Sequence, residues 1–243
     1  PISFSGSTLY STNPAVGTNF STNTSIFFGD TAGENTSGSS GIIGLGFYAG
    51  IGSGKSNLSN FIGNWAGYNA ITASHVNMIG SYAGYNVLES FDSNFIGSSA
   101  GSNTLFINKA NFIGYEAGKN INGSSYSTLI GYKVGQAFSN RSNTIGNNNI
   151  IIGTNITLPT ARQDSINLGG IIFGSNTYSN PVGDPYSGSM GGTGKIGINV
   201  VSPNYTLDVS GSGNFSNGLI VTGGITGSFS GSVFGYVDNT QTS

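Results

Sequence analysis

The chain has 243 residues, of which 41 are glycine and only 7% are charged, against about 25% charged residues in a typical soluble domain. Its net charge is −2 and it has 7 Lys and Arg residues, which excludes the basic surface that nucleic-acid binding requires. No run of about 18 apolar residues occurs, so we expect no membrane insertion. Cysteine is absent, which excludes disulfide bonds and thiolate metal sites.

Residues 1–25 precede any repeat and are predicted to form an N-terminal cap or lead-in. The sequence starts at Pro1, without an initiator methionine or a basic-then-apolar leader. We therefore expect a fragment or a processed product.

From residue 26 to residue 140 the sequence is organised by a Gly-x-x-Ala-Gly signature that returns every 17 residues. A fixed period of this kind is typical of a solenoid, in which each repeat buries its apolar face against its neighbours. We call the first glycine of each signature the leading glycine and the second the trailing glycine. The leading glycines are Gly29, Gly46, Gly63, Gly80, Gly97, Gly114 and Gly131. The trailing glycines are Gly33, Gly50, Gly67, Gly84, Gly101, Gly118 and Gly135.

The residue types within the repeat favour strands over helices. Each coil combines glycines with β-branched and aromatic residues and with Asn or Ser at the bends, whereas a helical repeat needs i, i+3, i+4 apolar spacing. Such a coil accommodates two strands of roughly five residues and two turns. We predict an all-β fold: a parallel β-solenoid, or β-roll, of seven 17-residue coils over residues 26–140, followed by a smaller β-rich C-terminal region.

Two apolar columns immediately precede the leading glycines. Phe95 and Ile96, for example, are neighbours in sequence, so their side chains point to opposite faces of a strand. Both faces then need cover, and only one of them can be the coil interior. We therefore predict an oligomer; the alternative is a flattened single-chain solenoid with one apolar side. We also expect Ile96→Asp to bury an unpaired charge in the core.

Small and amide side chains form further columns. Alanine lies three residues after six of the leading glycines, from Ala32 to Ala117, and Val134 replaces it in the last coil, which predicts close packing between two walls. Asn tolerates left-handed backbone, and stacked amides hydrogen-bond along a rod, so two Asn columns are predicted to be structural ladders. These columns are Asn60, Asn77, Asn94 and Asn111, and Asn35, Asn69, Asn86, Asn103 and Asn120.

The run Asn60-Phe61-Ile62-Gly63-x-x-Ala66-Gly67-x-Asn69 and its copies resemble the Asn-x-x-Ile-Gly-x-x-Ala repeats of trimeric autotransporter adhesin heads. The same style of repeat occurs in phage tail fibres and tail spikes. The resemblance covers about half of the chain, from residue 26 to residue 135. It implies a left-handed parallel β-roll that trimerises about a central axis.

The register changes after the last trailing glycine. Residues 141–173 are predicted to be a β-rich exit segment. Residues 174–193, rich in Gly, Ser, Asn and Pro, are predicted to be a linker or loop. Residues 194–243 are predicted to be a C-terminal β fibre segment.

The C-terminal segment carries a second resemblance. Its runs 195–198, 202–211, 218–223 and 228–235 resemble the segment that precedes an endosialidase-type intramolecular chaperone in phage tail fibres. In that family the chaperone guides trimerisation and then cuts itself off with a Ser nucleophile and a Lys. The resemblance implies that this chain is the mature product of such a cleavage or was trimmed near it, and it favours a phage over a bacterial source.

Catalytic and metal chemistry have little support in the sequence. His75 is the one histidine, in a repeat position held elsewhere by Asp92, and is predicted to be an exposed variable residue. Glycosidases need two carboxylates roughly 5–10 Å apart, but the pairs Asp30 with Glu34 and Glu89 with Asp92 do not recur in other coils. We therefore predict no catalytic residue, no metal site, no cofactor and no enzymatic activity.

Aromatic residues follow the glycines in most coils. If these bends face solvent, the aromatic side chains form a strip beside amide side chains, and such a strip is suited to stacking against sugars. In the alternative, which is favoured, the rings pack along the coil stack or into a subunit groove. The candidate glycan or receptor contacts are Tyr48, Trp65, Tyr68, Tyr82, Tyr85, Tyr115 and Tyr132.

Together these patterns and resemblances predict a structural protein of the virion: a host-attachment segment of a phage tail fibre or spike. It would be a trimeric β-solenoid that displays weak receptor contacts at high effective concentration. Its partners would be two further copies of itself, other virion or fibre proteins, and a host surface glycan or protein receptor. The alternative is the head of a trimeric adhesin on the bacterial cell surface, and a less favoured one is a glycan depolymerase.

Overall fold

A computed structural model of the chain describes residues 25–36, 38–137, 145–176, 194–213 and 216. The chain divides into two compact units, Pro1–Ser210 and Gly211–Ser243. All the elements below belong to the first unit. The predicted N-terminal cap lies outside the described residues except for Ser25, and so do the C-terminal runs 218–223 and 228–235.

The described part of the first unit is a parallel β-solenoid of about eight turns without a helix, which confirms the fold predicted from the period. Its strands are only three or four residues long. They are β1 (Ile26–Phe28), β2 (Ile43–Leu45), β3 (Asn60–Ile62), β4 (Thr72–Ser74), β5 (Asn77–Ile79), β6 (Glu89–Phe91), β7 (Asn94–Ile96), β8 (Phe106–Asn108), β9 (Asn111–Ile113), β10 (Thr128–Ile130), β11 (Asn149–Ile152), β12 (Ser165–Leu168), β13 (Ile172–Ser175), β14 (Lys195–Ile198) and β15 (Leu207–Val209).

Most strands belong to one large sheet with the order β1-β2-β3-β5-β7-β9-β10-β11-β12-β13-β14-β15. From β1 to β12 its strands pair in parallel, one coil beside the next, as Asn77 lies beside Asn94. β4, β6 and β8 form a second, smaller parallel sheet. Neighbouring strands lie about 4.8 Å apart, so each coil advances the solenoid by that distance.

The strands are shorter than the roughly five residues expected, because each coil bends at several left-handed positions. In the third coil these include Trp65, Asn69 and His75, with φ of 61°, 52° and 58°. A left-handed residue cannot continue a strand. Where the ladder stops, serine hydroxyls substitute for it: the Ser59 hydroxyl accepts the Val76 N–H of the next coil at 3.2 Å.

The column two residues before each leading glycine fills the interior of the coils. Its members from Phe61 to Leu129 have no exposed surface. The alanine column is also buried, as its small size predicted. Ile96 lies on the outer face of the large sheet and is half-buried, so the expectation that Ile96 is a core residue is wrong. Its neighbour Phe95 is the core residue.

The two glycine columns are required for different reasons. Gly97 has φ of 130°, and a Cβ there would lie 2.5 Å from the carbonyl oxygen of Gly114 in the next coil. Gly101 has φ of 62°, and its Cβ would lie 2.7 Å from the ring of Phe95. The leading glycines therefore allow the backbones of successive coils to stack, and the trailing glycines make room for the core column.

The parallel sheet continues beyond Gly135 with altered spacing. β11 follows β10 at an offset of 22 residues, and β12 follows β11 at an offset of 16. Gly153 and Gly169 continue the leading-glycine column, because their N–H groups donate to the carbonyl oxygens of Ile130 and Ile152. The 17-residue period therefore ends because the length of the coils changes, whereas the parallel sheet continues.

Asn167 closes the interior column. It is paired in register with Ile151 and is buried. Its Nδ2 donates to the carbonyl oxygen of Thr157 at 2.7 Å, and its Oδ1 accepts the N–H of Gly170 at 2.9 Å. A polar side chain can therefore end the core because both its amide nitrogen and its amide oxygen have a hydrogen-bond partner.

After this cap the strand direction reverses. β13 runs antiparallel to β12, β14 runs antiparallel to β13, and β15 pairs in parallel with β14. β13 extends to Ser175, so the first residues of the predicted linker lie in a strand, and residues 177–193 lie outside the described residues.

Candidate functional site

The bend after each leading glycine forms one side of the solenoid, which we call the turn face. It consists of the two residues after each leading glycine and the residue after each trailing glycine. The second of these positions has left-handed backbone in all seven coils that carry the signature, although the seventh, from Gly131 to Gly153, is 22 residues long and not the 17 predicted. These residues are Thr31, Tyr48, Trp65, Tyr82, Ser99, Glu116 and Lys133. Bulky residues adopt this conformation only where the surroundings enforce it. Here the hydrogen bonding between coils does so, as when the Trp65 N–H donates to the Phe47 carbonyl oxygen at 2.8 Å.

Six rings of three successive coils meet on the turn face, and we call them the aromatic cluster. They are Phe47, Tyr48, Trp65, Tyr68, Tyr82 and Tyr85. Trp65 lies at the centre: its ring centroid is 4.5 Å from that of Tyr48 and 5.9 Å from that of Tyr82, with nearly parallel planes in both pairs. Tyr68 and Tyr85 stack beside them at 5.3 Å.

The rings of the cluster stack along the solenoid and also reach the surface. Tyr82 is 42% exposed, and Tyr48, Trp65, Tyr68 and Tyr85 are half-buried. The rings therefore stack along the coils, which is the favoured of the two interpretations, and they also keep part of their surface in contact with solvent. The arrangement is a preorganised aromatic surface that includes four tyrosines, which also carry hydroxyl groups.

Tyr115 and Tyr132 lie apart from this cluster. They stack on each other at 5.2 Å, and are 45% and 47% exposed. A coil whose turn-face positions are all serine separates them from the aromatic cluster. The structure therefore brings five of the seven predicted contact residues together and places the other two in a second group.

Beside this pair lies a group that sequence reasoning missed, which we call the charged cluster: Glu116, Lys119, Lys133 and Gln136. The Lys119 Nζ donates to the Glu116 carboxylate at 2.6 Å, and the Gln136 Nε2 donates to it at 3.2 Å. The Lys133 Nζ lies 3.6 Å from the same carboxylate and 5.3 Å from the ring centre of Tyr132. The sequence signal that could have predicted this cluster is the position of its residues in the repeat, because all four occupy turn-face columns and residues one period apart are neighbours.

The contacts within the charged cluster favour the charged forms of Glu116 and Lys133. Burial raises the pKa of the Glu116 carboxyl, but the hydrogen bond from Lys119 and the charges of Lys119 and Lys133 outweigh it, so this pKa lies below its usual value. The pKa of Lys133 is raised by its hydrogen bond and charge interaction with Tyr132, and by Glu116. Two lysines and one glutamate leave one excess positive charge at this end of the turn face.

The outer face of the large sheet is a second surface of distinct character. An unbroken apolar column runs along it, half-buried or exposed in the single chain: Phe28, Leu45, Ile62, Ile79, Ile96, Ile113, Ile130, Ile152 and Leu168. No charged residue occurs in the strands of this sheet from β1 to β13.

Both predicted amide ladders form, except that Asn35 is separated from the second ladder by Gly52 in the next coil. On the outer face Asn60, Asn77, Asn94 and Asn111 are linked by side-chain hydrogen bonds of 2.6 to 2.7 Å. At the bend Asn69, Asn86, Asn103 and Asn120 are linked at 3.1 to 3.3 Å. These asparagines therefore bond to one another along the solenoid, which is the structural role predicted for them.

His75 is exposed, as expected, and its Nδ1 lies 3.6 Å from the Asp92 carboxylate in the next coil. Such an exposed pair contributes little to stability. Within the described residues no three His, Cys, Asp or Glu side chains are grouped to hold a metal ion. In the same part of the chain no helix has the length and apolarity to cross a bilayer.

No family model, no curated protein and no solved structure matches the chain. What is established is therefore an all-β solenoid with an aromatic and partly charged turn face and an uncharged outer sheet face.

Proposed function

We propose that the chain is a structural, host-attachment segment of a phage tail fibre or tail spike, acting in the virion. The aromatic cluster is the observation that supports this most directly. Partly exposed rings held rigidly on one bend supply contact area at low entropic cost, which suits a glycan or protein receptor. The repeats and the C-terminal runs 195–198, 202–211, 218–223 and 228–235 resemble tail-fibre segments. The repeats resemble bacterial adhesin heads as well, which remain the alternative.

We also propose that three copies associate through the outer face of the large sheet. An apolar strip of this length, left in water, would promote aggregation, and its burial is worth about 25 cal/mol per Å². A partner can match the column coil by coil only if it has the same rise, and a second copy has it. Three turn faces then act together, so that individually weak contacts give firm attachment.

The proposed attachment needs no catalysis. The acid pairs that a glycosidase would need are absent from most coils. A bacterial adhesin would be distinguished by a membrane-anchor barrel encoded downstream, and a phage fibre by neighbouring tail genes.

Binding of the purified protein to a panel of bacterial surface polysaccharides tests the proposal. We expect at least one polysaccharide to bind, and Trp65→Ala to weaken its binding at least tenfold because it removes the centre of the cluster. Tyr126→Ala is the matched control, since Tyr126 is an exposed ring with left-handed backbone (φ 59°) on another bend. No binding to any polysaccharide would contradict attachment through a surface glycan, and equal weakening by both variants would contradict the role of the aromatic cluster. Shortened polysaccharide after incubation would instead support a depolymerase.

A further inference from the structure

The turn face has a gap in its fifth coil, where its three positions are Ser98, Ser99 and Ser102. The coil before it presents Tyr82 and Tyr85, and the coil after it presents Tyr115, Glu116 and Lys119. Coils two apart are about 10 Å from each other. Ser102 is buried, but Ser98 and Ser99 are only half-buried, and they place no ring beside the exposed Tyr82 on this side. We call this gap the serine notch.

The charge of the turn face differs between its ends. The first coil carries Asp30 and Glu34, whereas Lys119 and Lys133 exceed Glu116 by one positive charge beyond the notch. The chain as a whole has a net charge of −2, so this positive end is a local feature. It favours an anionic group of a ligand over a neutral one.

We infer that the serine notch and the charged cluster form a subsite for a carboxylated sugar residue. The pyranose ring packs against Tyr82 and Tyr85, its hydroxyl groups bond to Ser99, and its carboxylate lies towards Lys119 and Lys133. The inference rests on the proposed function, because it assigns the sugar class bound next to the aromatic cluster. A saccharide lying along the solenoid would place neutral residues on the cluster and an acidic residue in the notch.

Titration with matched probes tests this subsite. The probes are sialyllactose and lactose, and a galacturonic acid trisaccharide and its carboxyl-reduced form. We expect at least one acidic probe to bind at least fivefold more tightly than its neutral counterpart at low salt. Ser99→Tyr should abolish the preference by filling the notch, and it should fold because Tyr48 and Tyr82 already occupy the equivalent left-handed position.

Lys133→Gln should reduce the preference while leaving the pair of Lys119 and Glu116 intact. Lys109→Gln is its control, since Lys109 is another lysine with left-handed backbone, φ of 55° against 53° for Lys133. Acidic and neutral probes that bind equally, and are both lost in Trp65→Ala, would overturn the subsite and leave the proposed function standing. A preference unaffected by Ser99→Tyr or Lys133→Gln would also overturn it. Failure of every probe and polysaccharide to bind would overturn both.

Discussion

Replacing Gly101 by alanine tests whether the trailing glycines exist to make room for core rings. A Cβ at Gly101 would lie 2.7 Å from the Phe95 ring, at a backbone φ of 62°. Gly123 has almost the same conformation, φ of 71°, but no atom lies within 4 Å of its added Cβ. Comparing the two alanine variants therefore separates steric contact from backbone strain.

The magnitudes follow from these geometries. Left-handed backbone costs an alanine about 1–2 kcal/mol, and the restricted unfolded chain offsets about 0.4–1 kcal/mol of this. We therefore expect Gly123→Ala to lower the free energy of unfolding by about 1 kcal/mol. Gly101→Ala adds the displacement of a buried ring, about 1–3 kcal/mol, for a total of about 3 kcal/mol. Phe95 has little room to move, because it is fully buried and stacks on Phe112 at 5.3 Å.

Urea unfolding followed by circular dichroism measures both losses. A double-mutant cycle tests whether the Phe95 ring causes the loss. Phe95→Leu removes the ring, so Gly101→Ala should cost at least 1 kcal/mol less in that background, which is within the coupling of about 0.5–3 kcal/mol that is typical of residues in contact. The reasoning is refuted if Gly101→Ala and Gly123→Ala lose the same stability, or if the cycle shows no coupling.

Three further predictions follow from the sheet and the charged cluster. The pKa of the Glu116 carboxyl is depressed by Lys119, so this carboxylate stabilises the fold above its usual pKa of 4.5, and the contribution is lost as pH falls through the lower pKa of the folded state. In Glu116→Gln the melting temperature should therefore fall less steeply with decreasing pH than in the wild type. An unchanged slope would contradict this. Asn167→Ala should cost about 2 kcal/mol in urea, because two partly buried backbone groups, the Thr157 carbonyl and the Gly170 N–H, lose their hydrogen-bond partner. A loss below about 0.5 kcal/mol would disprove the capping role. Ile96→Asp should dissociate the oligomer while preserving the β-sheet signal in circular dichroism, whereas Phe95→Asp should unfold the chain. If light scattering gives the mass of a monomer for the wild-type protein, the proposed oligomer is refuted.

The fold was predictable because stacking imposes the same requirement on every coil. A leading glycine is needed wherever the backbone of the next coil stacks against it. The period of 17 residues therefore gives the register in which the strands of successive coils pair. Inside and outside were harder to separate, because Phe95 and Ile96 are both apolar and alternation alone does not say which faces the core. The trailing glycine identifies the core residue, since the Phe95 ring packs on Gly101. Coil length beyond Gly135 could not be predicted, because a bend can lengthen or shorten without disturbing the register.

The candidate site could be predicted one residue at a time but not as groups. Residues one period apart lie side by side, which places Trp65 between Tyr48 and Tyr82, and the same arithmetic brings Glu116 beside Lys133. The charged cluster was missed because each charge was weighed singly. Turn-face side chains contribute to neither the glycine columns nor the core column, so their identities can change from aromatic to serine to charged over a few coils without altering the scaffold. Selection for binding can therefore act on the turn face independently of selection for folding.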